Sequence, residues 1–146
     1  MDRPILLVED NADDEELTLR ALARSHVGNR VVVARDGAEA LAFLLGTPEA
    51  PVLGALPALV LLDLKLPKID GLEVLQRLRA APRTRRLPVV ILTSSGEERD
   101  LIEAYDRGAN SYVRKPVDFV QFVEAVKQLG LFWLVVNQPP PESNAA

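Results

Sequence analysis

Five short apolar runs, separated by segments of helical period, constrain the fold of this chain more than any other feature. They are ILLV (5–8), RVVVA (30–34), ALVLLD (58–63), LPVVILT (87–93) and SYVRK (111–115). Runs of this length without polar alternation read as strands covered on both faces. Between them, residues 36–45 place Ala38, Leu41, Ala42 and Leu45 on one helical face, and residues 118–126 do the same with Phe119, Phe122, Val123 and Val126. Helix starts carry capping boxes, an oxygen side chain followed three residues on by Glu or Gln: Asp36 with Glu39, Asp70 with Glu73, and Asp118 with Gln121. Val117 and Phe122 add a hydrophobic staple to the last of these, Asn11 caps the first helix, and Gly108 and Gly130 fall at helix ends. Strand and helix alternate throughout, so the expected architecture is α/β: a parallel sheet with helices on both faces and right-handed crossovers.

Composition narrows the function classes. A chain of 146 residues suits one domain, and 48% apolar with 26% charged residues is the balance of a globular protein. Without cysteine there is neither a disulfide frame nor a thiolate metal site. A net charge of −4 argues against nucleic-acid backbone binding. The N-terminus, MDRPILLVED, lacks a signal-peptide pattern, and no apolar stretch is long enough to span a bilayer, so a cytoplasmic location without membrane or nucleic-acid partners is expected.

In open α/β sheets, sites form beyond the carboxyl ends of the strands. Those ends carry Glu9 and Asp10 after the first strand, Asp63 after the third, Thr93 at the fourth, and Lys115 followed by Pro116 at the fifth. Three carboxylates about 5 Å apart repel by roughly 3 kcal/mol per ionised pair at an effective dielectric near 20. One ammonium offsets only part of this, so either a carboxyl pKa rises or a divalent cation binds. Hard oxygen ligands favour Mg2+, an ion that keeps several waters and pairs one or two carboxylates with a phosphate oxygen. Beside such an ion, Asp63 is placed to act as a nucleophile toward a phosphoryl donor, with Thr93 and Lys115 as donors to the transferred group.

The segments LLVEDN, LLDLKLPKIDG, ILTSS and YVRKP, in this order and spacing, resemble the receiver domain of bacterial two-component response regulators. The resemblance covers residues 3–129 and implies a flavodoxin-like (βα)5 fold, a doubly wound five-stranded parallel sheet in the order 2-1-3-4-5. It implies Asp63 as phosphoacceptor, with Mg2+ held by Asp10, Asp63 and the backbone carbonyl of Lys65, and by Glu9 through water. Thr93 and Lys115 would bind the phosphoryl group, Thr93 and Tyr112 would form the switch, and Lys115–Pro116 would be a cis peptide. Leu17 and Arg20 on the first helix would meet the kinase. Glu9 stands where many receivers carry Asp, which keeps the charge and lengthens the arm. A receiver of this kind is a signalling protein whose only chemistry is its own phosphorylation and dephosphorylation. The rival expectations are a Mg2+-dependent phosphatase with an aspartyl-phosphate intermediate, disfavoured by Lys65 two residues after Asp63, and a phosphate-independent interaction module.

Several segments lie outside the motif set. GTPEAPVLGALP (46–57) is a long link rich in Pro and Gly, leading into the third strand. The basic cluster RAAPRTRRLP (79–88) reads as a solvated loop, and His26 as an inert surface residue. No DNA-binding or catalytic module is expected after residue 139. The run 130–138, which holds Phe132 and Trp133, is expected to form an apolar extension, and 139–146 a disordered tail. Together with Tyr105, Phe122 and Val126, the extension is a candidate homodimer surface. The long link and the apolar extension resemble regulators that serve phytochrome-type histidine kinases, which makes such a kinase the expected partner.

Overall fold

The computed structural model describes residues 3–24, 29–49, 56–115 and 124. The elements follow in strict alternation: β1 (Ile5–Val8), α1 (Ala12–Arg24), β2 (Val31–Ala34), α2 (Gly37–Leu45), β3 (Leu59–Leu62), α3 (Gly71–Ala80), β4 (Val89–Thr93), α4 (Glu98–Asp106) and β5 (Ser111–Arg114). The strands form one parallel sheet in the order β2-β1-β3-β4-β5, as the resemblance implied. The chain steps from β1 to β2 in one direction and builds the rest of the sheet in the other. With right-handed crossovers, that reversal puts α1 on one face and α2, α3 and α4 on the other.

The two faces bury separate cores. Leu6, Val8, Val60, Leu62, Val89 and Ile91 pack against Ala40, Leu41, Leu44, Val74, Leu75, Leu78 and Ala104 from α2, α3 and α4. Their neighbours along the strands, Ile5, Leu7, Leu59, Leu61, Val90 and Leu92, pack with Ala21 and Leu22 of α1. Alternate residues therefore face opposite layers, and every residue of β1, β3 and β4 is buried, which is why these strands lack polar alternation.

Local signals act where the sequence placed them. The Asn11 side chain accepts from Asp14 N at 2.9 Å, Asp36 from Glu39 N at 2.7 Å, and Asp70 from Glu73 N at 3.0 Å. Gly108 takes a positive φ of 100° just past α4, a conformation that favours glycine. The Asp118 capping box, the Val117–Phe122 staple, the face with Phe119 and Val123, Gly130, His26 and all residues beyond 124 lie outside the described residues.

Two expectations are corrected. On α2 the buried residues are Gly37, Ala40, Leu41 and Leu44, whereas Ala42 is exposed and Ala38 and Leu45 are only half-buried. The sequence GAEALAFLL is apolar nearly all round, so its pattern does not define a phase, and packing against the sheet selects one. The 79–88 segment is not a wholly solvated loop. Thr84 is fully buried and donates to Leu78 O at 2.6 Å. Arg79 is half-buried, and its guanidinium donates to Gly108 O at 2.9 Å, Thr84 O at 3.3 Å, Arg85 O at 3.1 Å, Leu87 O at 2.7 Å and Asn110 Oδ1 at 2.9 Å. One side chain thus ties the end of α3 to its following loop and to the turn before β5.

Candidate functional site

Main-chain ladders carry the candidate side chains to one end of the sheet and hold them there. Glu9 N donates to Ala34 O at 2.9 Å, Asp63 N to Val8 O at 3.1 Å, and Lys115 N to Thr93 O at 2.8 Å. Each of these residues extends its strand by one pairing step, so its side chain leaves from rigid backbone. The loop after Asp63 is equally constrained. Gly71 N returns to Leu64 O at 2.9 Å, and a Cβ on Gly71 would stand 2.2 Å from Asp63 O, so only glycine allows α3 to start this close to the site. In the same loop Lys68 adopts a φ of 67°, a local strain on the order of 1 kcal/mol for a non-glycine residue, and pairs with Asp36 at 3.4 Å.

Glu9, Asp10 and Asp63 each present an oxygen within 4.8 Å of the others. Glu9 and Asp63 are buried and Asp10 is exposed. The Asp63 carboxylate is flanked on both sides. Its Oδ1 accepts from Thr93 Oγ1 at 2.8 Å and from Lys65 N at 3.3 Å, and its Oδ2 meets Lys115 Nζ at 3.1 Å. Lys115 also donates to Glu9 Oε1 and to Asp14 Oδ2, the latter at 3.0 Å. Burial pushes the Glu9 carboxyl up to about 7 against the Lys115 hydrogen bond, with the Asp63 charge adding to the rise. For Lys115, burial works to lower the pKa, but the Glu9 hydrogen bond and the charges of Asp63 and Glu9 outweigh it and raise it. Lys115 therefore stays an ammonium, and Glu9 is the carboxyl that burial disfavours in its charged form.

This donor set fits a hard divalent cation. All three are hard oxygen donors, the ligand type Mg2+ takes, and their spread of up to 4.8 Å leaves room for an ion that keeps some of its waters. Among the described residues, Glu9, Asp10 and Asp63 are the group with this geometry.

The strand-end set read from the sequence is thus brought together: Glu9, Asp10, Asp63, Thr93 and Lys115. Tyr112 lies one layer back on β5, half-buried, with its hydroxyl donating to Ser95 O at 3.0 Å. Ser95 N in turn points at Thr93 Oγ1 at 3.3 Å, which links the tyrosine to the Asp63 pocket through two short steps. Leu17 is half-buried on α1, and Arg20 is exposed and paired with Glu16 at 2.7 Å. Tyr105 is exposed on α4, beside Leu101 and Ile102. The Lys115–Pro116 peptide bond and the dimer candidates Phe122, Val126, Phe132 and Trp133 lie outside the described residues.

Two features escaped the sequence reading. Asp14 reaches Lys115 from α1, although in sequence it is one of several acids in a helix's first turn. Asp100, buried in the first turn of α4, accepts from Ser95 Oγ at 2.6 Å and pairs with Lys65 Nζ at 3.3 Å. The Ser95 hydrogen bond holds its carboxyl below the usual range against burial, with Lys65 helping. It ties the loops after β3 and β4 to the start of α4, and no sequence pattern marks it.

Comparison with known proteins agrees with this geometry. Residues 5–127 match the family model of the response regulator receiver domain. The response regulator Rcp1 of Synechocystis is 39% identical over 89% of this chain and 88% of its own length, and the Mn2+-bound form of Rcp1 superposes with a TM-score of 0.84, covering 95% and 99% of the two chains. The phosphorylated cyanobacterial phytochrome response regulator RcpA is 41% identical, with a TM-score of 0.89 over 97% of this chain and all of that one. The bacteriophytochrome response regulator AtBRR is 55% identical, with a TM-score of 0.75 over 94% and 99%. With most of its length matched to that family model, and a carboxylate pocket built on the tips of β1 and β3, the chain belongs to the response regulator receiver domain family.

Proposed function

We propose that this receiver domain accepts a phosphoryl group on Asp63 from a phosphohistidine of a sensor kinase, in a Mg2+-dependent reaction, and that the kinase is of the phytochrome type. The observation that carries the reading is the environment of the Asp63 carboxylate. One oxygen faces a buried hydroxyl and the other a buried ammonium, and two further carboxylates stand within 4.8 Å. In the transfer, an Asp63 oxygen forms a bond to phosphorus as the phosphorus–imidazole bond breaks, and the kinase imidazole leaves with its ring nitrogen free to take a proton. Mg2+ supplies charge neutralisation between the carboxylates and the incoming group. Asp10 and Asp63, with the Lys65 carbonyl, would hold it directly, and Glu9 would act through water. Thr93 turns its hydroxyl proton from Asp63 Oδ1 to a phosphoryl oxygen, and Lys115 gives a charge-assisted hydrogen bond to another.

The switch follows from the same contacts. Thr93, once engaged by the phosphoryl group, pulls on Ser95, and Ser95 holds both the Tyr112 hydroxyl and Asp100 of α4. Phosphorylation therefore shifts the face formed by α4 and β5, where Leu101, Ile102 and Tyr105 are exposed. That face, with the segment after residue 129, is the proposed homodimer surface, and Leu17 and Arg20 on α1 are the proposed kinase contacts. The phytochrome assignment is supported by the similarity to RcpA and AtBRR. The phosphatase alternative has less support, because Lys65 stands two residues after Asp63 and its ammonium is engaged with Asp100.

Incubation with acetyl phosphate and Mg2+, followed by intact mass, tests the core of the proposal. A single phosphate adduct in the wild type that is lost in Asp63→Asn is expected; steady turnover of small phosphate esters without an adduct would favour the phosphatase. Transfer from a purified phytochrome-type kinase, faster than from an unrelated histidine kinase, tests the partner.

A further inference from the structure

The Lys115 ammonium has three N–H donors, and the structure assigns one carboxylate to each. Glu9 and Asp63 belong to the pocket itself. The third acceptor, Asp14 Oδ2 at 3.0 Å, comes from α1, 101 residues away in sequence. The Lys115 side chain is only 6% exposed, so these are its partners in place of water. Asp14 is 37% exposed at the rim and forms no part of the oxygen cluster that fits the cation.

We infer that Asp14 is a positioning residue that holds the Lys115 ammonium in the unphosphorylated state and competes with the phosphoryl group for it. The inference rests on the proposed phosphorylation of Asp63 and adds a control on it. Asp63 loses its own charge on becoming the acyl phosphate, so its bond to Lys115 passes to a phosphoryl oxygen, and any second phosphoryl contact must displace Glu9 or Asp14, since an ammonium has no fourth donor. Glu9 is buried beside Lys115 and has nowhere to go, whereas Asp14 at the rim can turn to solvent. Asp14 is therefore the partner given up. It also adds a negative charge at the mouth of a pocket that must admit a dianion, while favouring entry of a cation. The same carboxylate thus tightens Mg2+ binding and weakens retention of the phosphoryl group, two effects of opposite sign.

Mg2+ affinity by calorimetry, and beryllofluoride affinity of the Mg2+-saturated protein by fluorine NMR, separate these effects in the full chain at fixed ionic strength. Asp14→Asn removes the charge and keeps the shape. It is expected to weaken Mg2+ binding about twofold to fivefold and to tighten beryllofluoride binding about threefold to tenfold, the range of one partly screened charge at short distance. Asp14→Glu, which keeps the charge, is expected to return both constants toward wild type. Beryllofluoride affinity unchanged or lowered in Asp14→Asn, with wild type binding normally, would overturn the inference and leave the proposed function intact. Parallel losses of both affinities would also overturn it, because damage to the fold moves both in one direction. A wild type that takes up neither Mg2+ nor beryllofluoride would defeat the proposed function itself.

Discussion

Replacing Asp63 by Asn removes one charge and almost no volume, so its effect can be worked from the distances around that carboxylate. The Lys115 ammonium lies 3.1 Å from Asp63 Oδ2, an attraction of about 5 kcal/mol at an effective dielectric of 20. Against it stand Glu9 and Asp10, each with an oxygen within 4.8 Å, and each repelling by about 3 to 4 kcal/mol when ionised. Asp10 is exposed and therefore screened, which trims its share. The terms nearly cancel, so the metal-free variant is expected to be as stable as wild type or up to about 2 kcal/mol more so. With Mg2+ bound as proposed, the order is expected to reverse. At a hundredfold excess over its dissociation constant the ion stabilises wild type by about 2.7 kcal/mol, or about 8 °C in melting temperature for a domain of this size. Loss of a ligand that weakens binding tenfold leaves the variant about 1.4 kcal/mol, or about 4 °C, at the same Mg2+ concentration. Thermal unfolding followed by circular dichroism, with and without Mg2+ at pH 8, measures both quantities. An equal Mg2+ shift in the two proteins would refute Asp63 as a ligand, and a metal-free variant melting well below wild type would refute the charge balance.

Other consequences follow from the same contacts. Because the folded Glu9 carboxyl is raised from 4.5 to about 7, the stability its neutral form contributes is whole below pH 4.5 and is lost as pH climbs through 7; the metal-free protein is expected to lose up to about 3 kcal/mol over that window, by urea titration at several pH values. Lys115, raised from its ordinary value, stays protonated throughout and adds no slope there, and apparent Mg2+ affinity should rise across the same window as Glu9 ionises. Arg79→Met strands carbonyls in the loop after α3 and the turn before β5, and is expected to cost about 2 to 4 kcal/mol in urea unfolding with Mg2+ affinity unchanged. Gly71→Ala drives a methyl group into the Asp63 carbonyl, and should cost at least about 2 kcal/mol and, unlike Arg79→Met, also weaken Mg2+ binding, by the same titrations.

Much of the site was legible because strand ends are local features of the sequence. The apolar runs that end in Asp63 and Thr93 mark where the sheet stops, and in a parallel sheet all such ends share one edge. Lys115 was legible for the same reason, since the Lys115 N to Thr93 O bond is a continuation of the β4–β5 ladder. Asp14 was not, because an acid in the first turn of a helix is already accounted for by the helix dipole. Only the path of α1 across the sheet edge sets it beside Lys115. Arg79 and Asp100 were hidden likewise: a basic residue in a basic cluster and an acid at a helix start look solvated until the layers they join are known. The phase of α2 failed for another reason, an apolar composition that offers several faces and leaves the choice to packing.

By itself, then, the order of residues determined the alternation of strand and helix, the edge of the sheet where chemistry collects, and the carboxylates, hydroxyl and amine that meet there. These are properties of short segments, set by period, capping and strand termination. Tertiary structure alone decided how the ammonium of Lys115 divides itself among Glu9, Asp14 and Asp63, which carboxylates are buried, and how Ser95 and Asp100 connect the pocket to α4. The physical reason is that burial and Coulomb energy depend on distances between segments far apart in the chain, and such distances exist only once the layers have packed.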